Sequence, residues 1–252
     1  MNPLDYLRPV GRLRVLLFDR RARSELITRW TRKNAVHQSN TVTWHDRYPQ
    51  LFAAAQTELS ENTAPAILSF GCSSGEEVVS LRRYFPSARL VGAEINAVQL
   101  AACAHLAAAP QMTFIRSTPA AIAELGPYDA IFCMAVLQRL PHEVERRGIR
   151  NIAKRYPFAR FSDEVKFLAD QLRPGGLLVT DHCQYRVEDV DAPLRPVVNA
   201  TLSLAKGPRF DPSGEMIAPQ PVVARMFRRF DARDGHAEGE MIRLGVIERM
   251  ED

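Results

Sequence analysis

One stretch, Ala66 to Leu81 (AILSFGCSSGEEVVSL), limits the fold more than any other part of the chain. Ala66-Ile67-Leu68-Ser69-Phe70 is a short apolar run without polar alternation, the pattern of a strand covered on both faces, as parallel strands are. Gly71-Cys72-Ser73-Ser74-Gly75 supplies small residues for a tight turn. Glu76 and Glu77 then open an apolar-periodic segment, where carboxylates suit the positive end of a helix. A doubly covered strand that turns at once into a helix places the chain in the α/β class. Backbone N–H groups and bare Cα atoms at such a junction approach a ligand closely, so it is the natural seat of a nucleotide-like cofactor.

Spacing within the turn separates three chemistries. A dinucleotide fingerprint, Gly-x-Gly-x-x-Gly, fails because Ser73 and Glu76 stand at the second and third glycine positions. Gly-x-Ser-x-Gly is satisfied with Ser73 as the nucleophile of a serine hydrolase elbow. Against that reading, no His-Gly oxyanion segment precedes the turn, the residues before Pro65 read largely as helix, and bulky Glu76 follows Gly75. The third reading is a resemblance. Ile67 to Glu77 resembles the first motif of class I S-adenosylmethionine (SAM) methyltransferases, most closely the Gly-Cys-Ser-x-Gly-Glu-Glu form of CheR-type enzymes. It implies a Rossmann-like class I methyltransferase fold, with a mostly parallel seven-stranded sheet flanked by helices. It also implies S-adenosyl-L-methionine as cofactor, with Gly71, Cys72, Ser73, Gly75 and Glu77 among the binding residues.

Downstream segments fall in the order this resemblance requires. A second strand, Arg89 to Glu94, ends on a carboxylate placed to accept hydrogen bonds from both ribose hydroxyls, with Ile95 bordering the adenosine. Ala97 to Ala108 is alanine-rich and reads as one helix. Met112 to Arg116 is the third strand, and Ser117 and Thr118 follow where the superfamily contacts the adenine amine. Tyr128 to Leu137 is the fourth strand and its exit, similar to the CheR-type Tyr-Asp-x-Ile-Phe-Cys-Arg-Asn-Val, with Cys133 and Met134 as expected cofactor neighbours. Met134 and Ala135 replace that family's Arg and Asn, which alters the methyl-group end of the pocket. Phe161 to Leu172 is amphipathic, Arg173-Pro174-Gly175-Gly176 is a turn, and Leu177 to Thr180 is the fifth strand. Val222 to Phe230 and Met241 to Met250 are the expected last two strands.

Residues 1–60 read as a helical N-terminal extension packed on a core of 61–252, which carries a proline-punctuated insertion around 186–221. Leu13 to Trp30 and Gln50 to Leu59 are its expected helices. Ahead of the first motif, Thr43 and Arg47 have the spacing of a CheR-type cofactor segment, which implies a hydroxyl contact and a partner for the SAM carboxylate. If the acceptor is a hydroxyl, a general base helps, and His182 then His142 are the candidates, with Asp181 and Tyr185 orienting.

Charge bears on partners. A net charge of +4 is mild, and its excess lies in the arginine-rich N-terminal part, which reads as a solvated helix face rather than a nucleic-acid arm. Cys72, Cys103, Cys133 and Cys183 form no Cys-x-x-Cys pair, so neither a disulfide framework nor a zinc site is expected. No segment approaches a membrane span, and the expected location is the cytoplasm. The expected partner is a small-molecule or side-chain methyl acceptor. A methyltransferase-fold protein that binds SAM or RNA without turnover is the alternative from another class.

Overall fold

The computed structural model describes residues 19–32, 35–38, 42–197, 202–218 and 220–231. Its centre is a seven-stranded sheet in the order β3-β2-β1-β4-β5-β9-β6. The first five strands in sequence are β1 (Ala66–Phe70), β2 (Arg89–Glu94), β3 (Met112–Arg116), β4 (Tyr128–Met134) and β5 (Leu172–Asp181). They pair in parallel, with Leu68 opposite both Val91 and Ile131. β9 (Met226–Arg229) runs antiparallel to β5 and to β6 (Leu194–Pro196). This order and direction are those of the Rossmann-like methyltransferase fold. A small second sheet pairs β7 (Ser203–Leu204) with β8 (Val222–Val223).

The sheet divides the core in two. Alternate residues of β1 and β4 go to opposite sides: Leu68, Ile131 and Cys133 pack with Tyr156, Phe161 and Tyr185. Ile67, Ala130 and Phe132 pack with Phe52, Leu81 and Val179. Phe132 is fully buried and meets Phe52 edge-on at 5.5 Å. Each such side chain contributes roughly 1.5–3 kcal/mol by leaving water. The helix Phe158–Asp170 covers the first side through Phe161, Val165 and Leu168, spaced at helical intervals. Helices Pro49–Glu58 and Glu76–Tyr84 cover the second. In the N-terminal part, Arg20–Thr31 is helical and its Ser24 hydroxyl donates to Asn96 Oδ1 at 2.7 Å, which seats it beside β2's exit.

Three expectations are corrected. The segment Ala97 to Ala108 is not one helix: Ala97–Ala102 is α-helical and Leu106–Ala108 is a separate 3-10 turn. Packing overrides alanine propensity there, because Cys103 turns inward to place Sγ 3.3 Å from the Ser73 carbonyl oxygen. The Pro174-Gly175-Gly176 turn lies within β5, beside a register shift opposite Tyr128 and Ala130, so the strand already begins at Leu172. The edge of the sheet is Leu194–Pro196, from the segment read as an insertion. Met241 to Met250, like the first part of Leu13 to Trp30, lies outside the described residues.

Candidate active site

The C-terminal ends of the parallel strands open into one cavity of about 530 Å³, where open α/β sheets bind ligands. β1 delivers Gly71, Cys72 and Ser73, β2 Glu94 and Ile95, the β3 exit Ser117, β4 Met134 to Val136, and β5 His182 to Gln184. Residues 35–38, 42–44 and 47–48 form one wall and 206–209 another.

Backbone conformation at these exits is unusual. Gly71 has φ +79°, and a Cβ built there would lie 2.6 Å from Val136 Cγ2, so the turn admits glycine alone without rearrangement. Ser73, Ala135 and His182 each hold positive φ, at 51°, 59° and 54°. Non-glycine residues in that region carry strain, and here three strand exits facing one cavity share it.

Carboxylates dominate the β1–β2 side. Glu94 is 5% exposed; its Oε2 accepts from the Ser73 N–H at 2.8 Å and its Oε1 from the Asn96 N–H at 2.7 Å. Burial pushes its carboxyl up, and the backbone N–H groups of Asn96, Ser73 and Ile95 pull it back. Glu77, on the first turn of its helix, accepts from the Ser69 hydroxyl at 2.7 Å. Burial raises it to about 7 against the opposing pull of Ser69 and the Arg47 charge. Arg47 itself donates to the Val42 carbonyl at 3.1 Å and lies over the Trp44 ring at 4.3 Å and the Tyr48 ring at 5.1 Å.

The β5 side is cationic. Asp181 has a fully buried side chain, within 3.3 Å of His182 Nδ1, 3.5 Å of Arg225 and 3.7 Å of Lys206. Burial pushes its carboxyl up, but His182, Arg225 and Lys206 outweigh that and hold it at about 2. His182 Nδ1 and the Tyr48 hydroxyl are buried without a hydrogen-bond partner among the described residues, and the two rings meet edge-on at 6.3 Å between the carboxylate and cationic sides. Burial raises the Tyr48 phenol.

Residues 67–156 match a family described as a methyltransferase domain. The match spans β1 to β4 and so includes Gly71, Ser73, Glu77 and Glu94. Over 164 residues the chain is 28% identical to trans-aconitate 2-methyltransferase of Deinococcus radiodurans, covering 58% of this chain and 54% of that protein. Over 107 residues it is 30% identical to trans-aconitate 2-methyltransferase of Azoarcus sp., covering 39% of this chain and 42% of that protein. The chain thus spans about half the length of the curated relatives it matches. Among solved structures, the plantazolicin methyltransferase in complex with SAH aligns at a TM-score of 0.40 with 14% identity, over 66% of this chain and 55% of that one.

Of the residues singled out in the sequence, Thr43, Arg47, Gly71, Cys72, Ser73, Glu77, Glu94, Ile95, Ser117, Met134, His142 and His182 share the cavity. Five do not line it: Asp181 is buried beneath His182, the buried Tyr185 hydroxyl donates to the Tyr156 carbonyl instead of orienting a histidine, and the other three are Gly75, Thr118 and Cys133. Gly75, at φ +95°, caps the helix below the turn. The Thr118 hydroxyl accepts from the Ala121 N–H and caps the next helix. Cys133 points to the opposite face of β4 from Phe132 and is buried in the core. His142 stands exposed at the rim, whereas His182 is inside.

Other lining residues carried no local signal. His37 is 3% exposed, with Nδ1 2.6 Å from the Tyr156 hydroxyl and Nε2 3.1 Å from Glu164. Arg139 and Arg160 donate to the neighbouring Val36 carbonyl, so four groups, with Tyr156 and Glu164, tie this wall segment to the body. Buried Gln184 joins two exits: its Oε1 accepts from the Arg139 N–H at 2.6 Å, and its N–H donates to Leu137 O at 3.2 Å.

Proposed function

We propose that this chain is a SAM-dependent methyltransferase that moves a methyl group to an oxygen or nitrogen of a small molecule or side chain. The observation that carries the reading is one cavity of about 530 Å³, lined in part by the matched residues 67–156, whose groups complement that cofactor. Glu94, anchored by backbone N–H groups, keeps lone pairs for a ribose diol. Glu77 offers a carboxylate to an ammonium, and Arg47 a guanidinium to a carboxylate. The Gly71 turn leaves room where a Cβ would intrude, and the unpartnered Tyr48 hydroxyl adds a polar atom for a ligand.

When bound, SAM supplies an electrophilic methyl carbon on a sulfonium. This chain's own residues position the acceptor in line with that carbon and exclude water. For a hydroxyl acceptor, His182 takes the proton, with the Asp181 carboxylate 3.3 Å from its Nδ1. Trans-aconitate, in the relatives' name, bears carboxylates, so we place oxygen ahead of nitrogen as acceptor. The CheR-type likeness belongs to this proposal for the cofactor turn only, since Met134 and Ala135 change the acceptor side. We place the protein in the cytoplasm, a reading supported by four free, buried thiols; no helix among the described residues is long and apolar enough to cross a membrane.

Calorimetry with SAM tests the cofactor: micromolar affinity is expected, and no measurable binding overturns the proposal. Transfer of label from methyl-labelled SAM to a panel of carboxylic acids, phenols and amines tests turnover. SAM binding with no transfer to any class favours the alternative of a binding protein.

A further inference from the structure

The cationic side of the cavity contains one charge that nothing among the described residues pairs. Arg209 is 4% exposed and lines the cavity, yet its guanidinium makes no hydrogen bond and no ion pair among the described residues. Asp181, one of the two carboxylates that act on Arg209, is engaged by Arg225 at 3.5 Å, Lys206 at 3.7 Å and His182 at 3.3 Å. Glu188, also close enough to act on Arg209, is occupied in accepting from the Ala224 N–H at 3.3 Å. Lys206, Arg225 and Arg209 thus face the two carboxylates Asp181 and Glu188, and the surplus falls on Arg209.

A buried guanidinium without a partner is costly, and chains keep one where a ligand completes it. The backbone around Arg209 is built to hold it. The Ile217 N–H donates to the Arg209 carbonyl at 3.0 Å, and the Phe210 N–H donates to Gln184 O at 2.9 Å. Phe210 is fully buried and bridges to both Tyr185 and Met216. The side chain therefore extends from a fixed short hairpin and lines the same cavity as His182, Glu77 and Glu94. Its planar fork of donors matches a carboxylate better than any neutral group.

We infer that Arg209, with Lys206 at the rim, anchors a carboxylate of the methyl acceptor, so that the substrate is an anionic small molecule. This rests on the methyltransferase reading, and it deepens it by naming the acceptor class and the residue that selects it. The anchored acid shares the cavity with His182 and neutralises the surplus charge of the β5 side. Only Lys206 is exposed, consistent with an acid that enters past it and is then covered.

The test uses the full chain saturated with SAH and titrated calorimetrically with citrate, succinate, inorganic phosphate and the uncharged triethyl ester of citrate. At least one carboxylate is expected to bind, the ester not, and Arg209→Met to weaken the carboxylate by at least about tenfold, the loss of one charged hydrogen bond. Lys206→Gln is expected to weaken it less. SAH affinity is expected to be unchanged in both variants, which separates this proposal from the cofactor reading: absent SAH binding in the wild type defeats that reading. Arg209→Met is also expected to raise the melting temperature, because it removes an unpaired buried charge; a structural arginine would lower it. Carboxylate binding unchanged in Arg209→Met, binding by phosphate alone, or no anion bound by the SAH-loaded wild type would each overturn the inference.

Discussion

Glu77 makes cofactor affinity a function of pH in a way that can be worked out in advance. Burial moves its carboxyl from 4.5 to about 7, which disfavours the ionised form by about 3 kcal/mol in the free protein at 1.36 kcal/mol per pH unit. Because the cavity admits water to this side chain, that figure is a ceiling. A cationic ligand beside Glu77 needs the ionised form, so binding must remove a proton below pH 7. Affinity for SAM is then expected to rise about tenfold per unit between pH 5 and 7, to near-hundredfold overall, and to level off above. The window is clean on the ligand side, since an α-amino group titrates at about 7.7–8.0. The same shift carries a sign for stability. Between 4.5 and about 7 the native state binds the proton and the unfolded chain does not, so stability falls as pH rises through that range and is flat beyond it. Glu77→Gln should remove both effects: at pH 8 it is more stable than wild type by up to about 3 kcal/mol, and binds SAM weakly with little pH dependence between 5 and 7. Calorimetry in two buffers of different ionisation enthalpy measures the proton released. A wild-type affinity independent of pH over that range, or the same slope in Glu77→Gln, would refute the reasoning.

Other expectations follow from single residues. Gly71→Arg should abolish SAM binding and lower the melting temperature, because at φ +79° its Cβ would lie 2.6 Å from Val136 Cγ2; retained affinity by calorimetry counts against the cradle. Asp181 contributes about 2 kcal/mol of stability, by lowering from 3.8 to about 2, that is present above pH 4 and lost as pH falls through 2. Asp181→Asn should therefore destabilise the protein in urea at pH 7 and much less at pH 2.5, and equal losses at both would be the wrong result. His182→Ala should cost about a hundredfold or more in transfer rate to a hydroxyl acceptor but little to a carboxylate, which needs no deprotonation. A steady-state rate comparison on the two acceptor types distinguishes these cases.

How much of this was legible depended on the distance over which each feature is encoded. The turn after β1 was readable because its strand, its glycines and its carboxylates are contiguous. Glu94 was readable because its place at the end of the next strand follows from topology. Helix breakage at Cys103 was not, since it comes from a thiol reaching Ser73, thirty residues away, against local propensity. The edge strand Leu194–Pro196 is three residues long, too short for any periodic signal. Cys133 was assigned to the cavity through a resemblance in sequence, but the two-residue period of a strand sends it and Phe132 to opposite faces, and both belong to the core.

The acceptor side was hidden for a deeper reason. His37 meets partners 119 and 127 residues away, and Arg139 bonds residues more than a hundred positions earlier. His182 was readable from its place after the fifth strand, but Tyr48, Lys206 and Arg209 come from two other segments, and none lies in a motif whose spacing could announce it. Their significance is a matter of accounting across the cavity rather than of pattern: whether a buried charge has a partner cannot be known until every neighbouring charge is placed. Met134 and Ala135 illustrate the same limit, for their departure from the CheR-type pattern says what the acceptor end lacks and not what it binds. What it binds follows from balance: Asp181 is already shared among Arg225, Lys206 and His182, so the remaining guanidinium asks for an anion that the described residues do not supply.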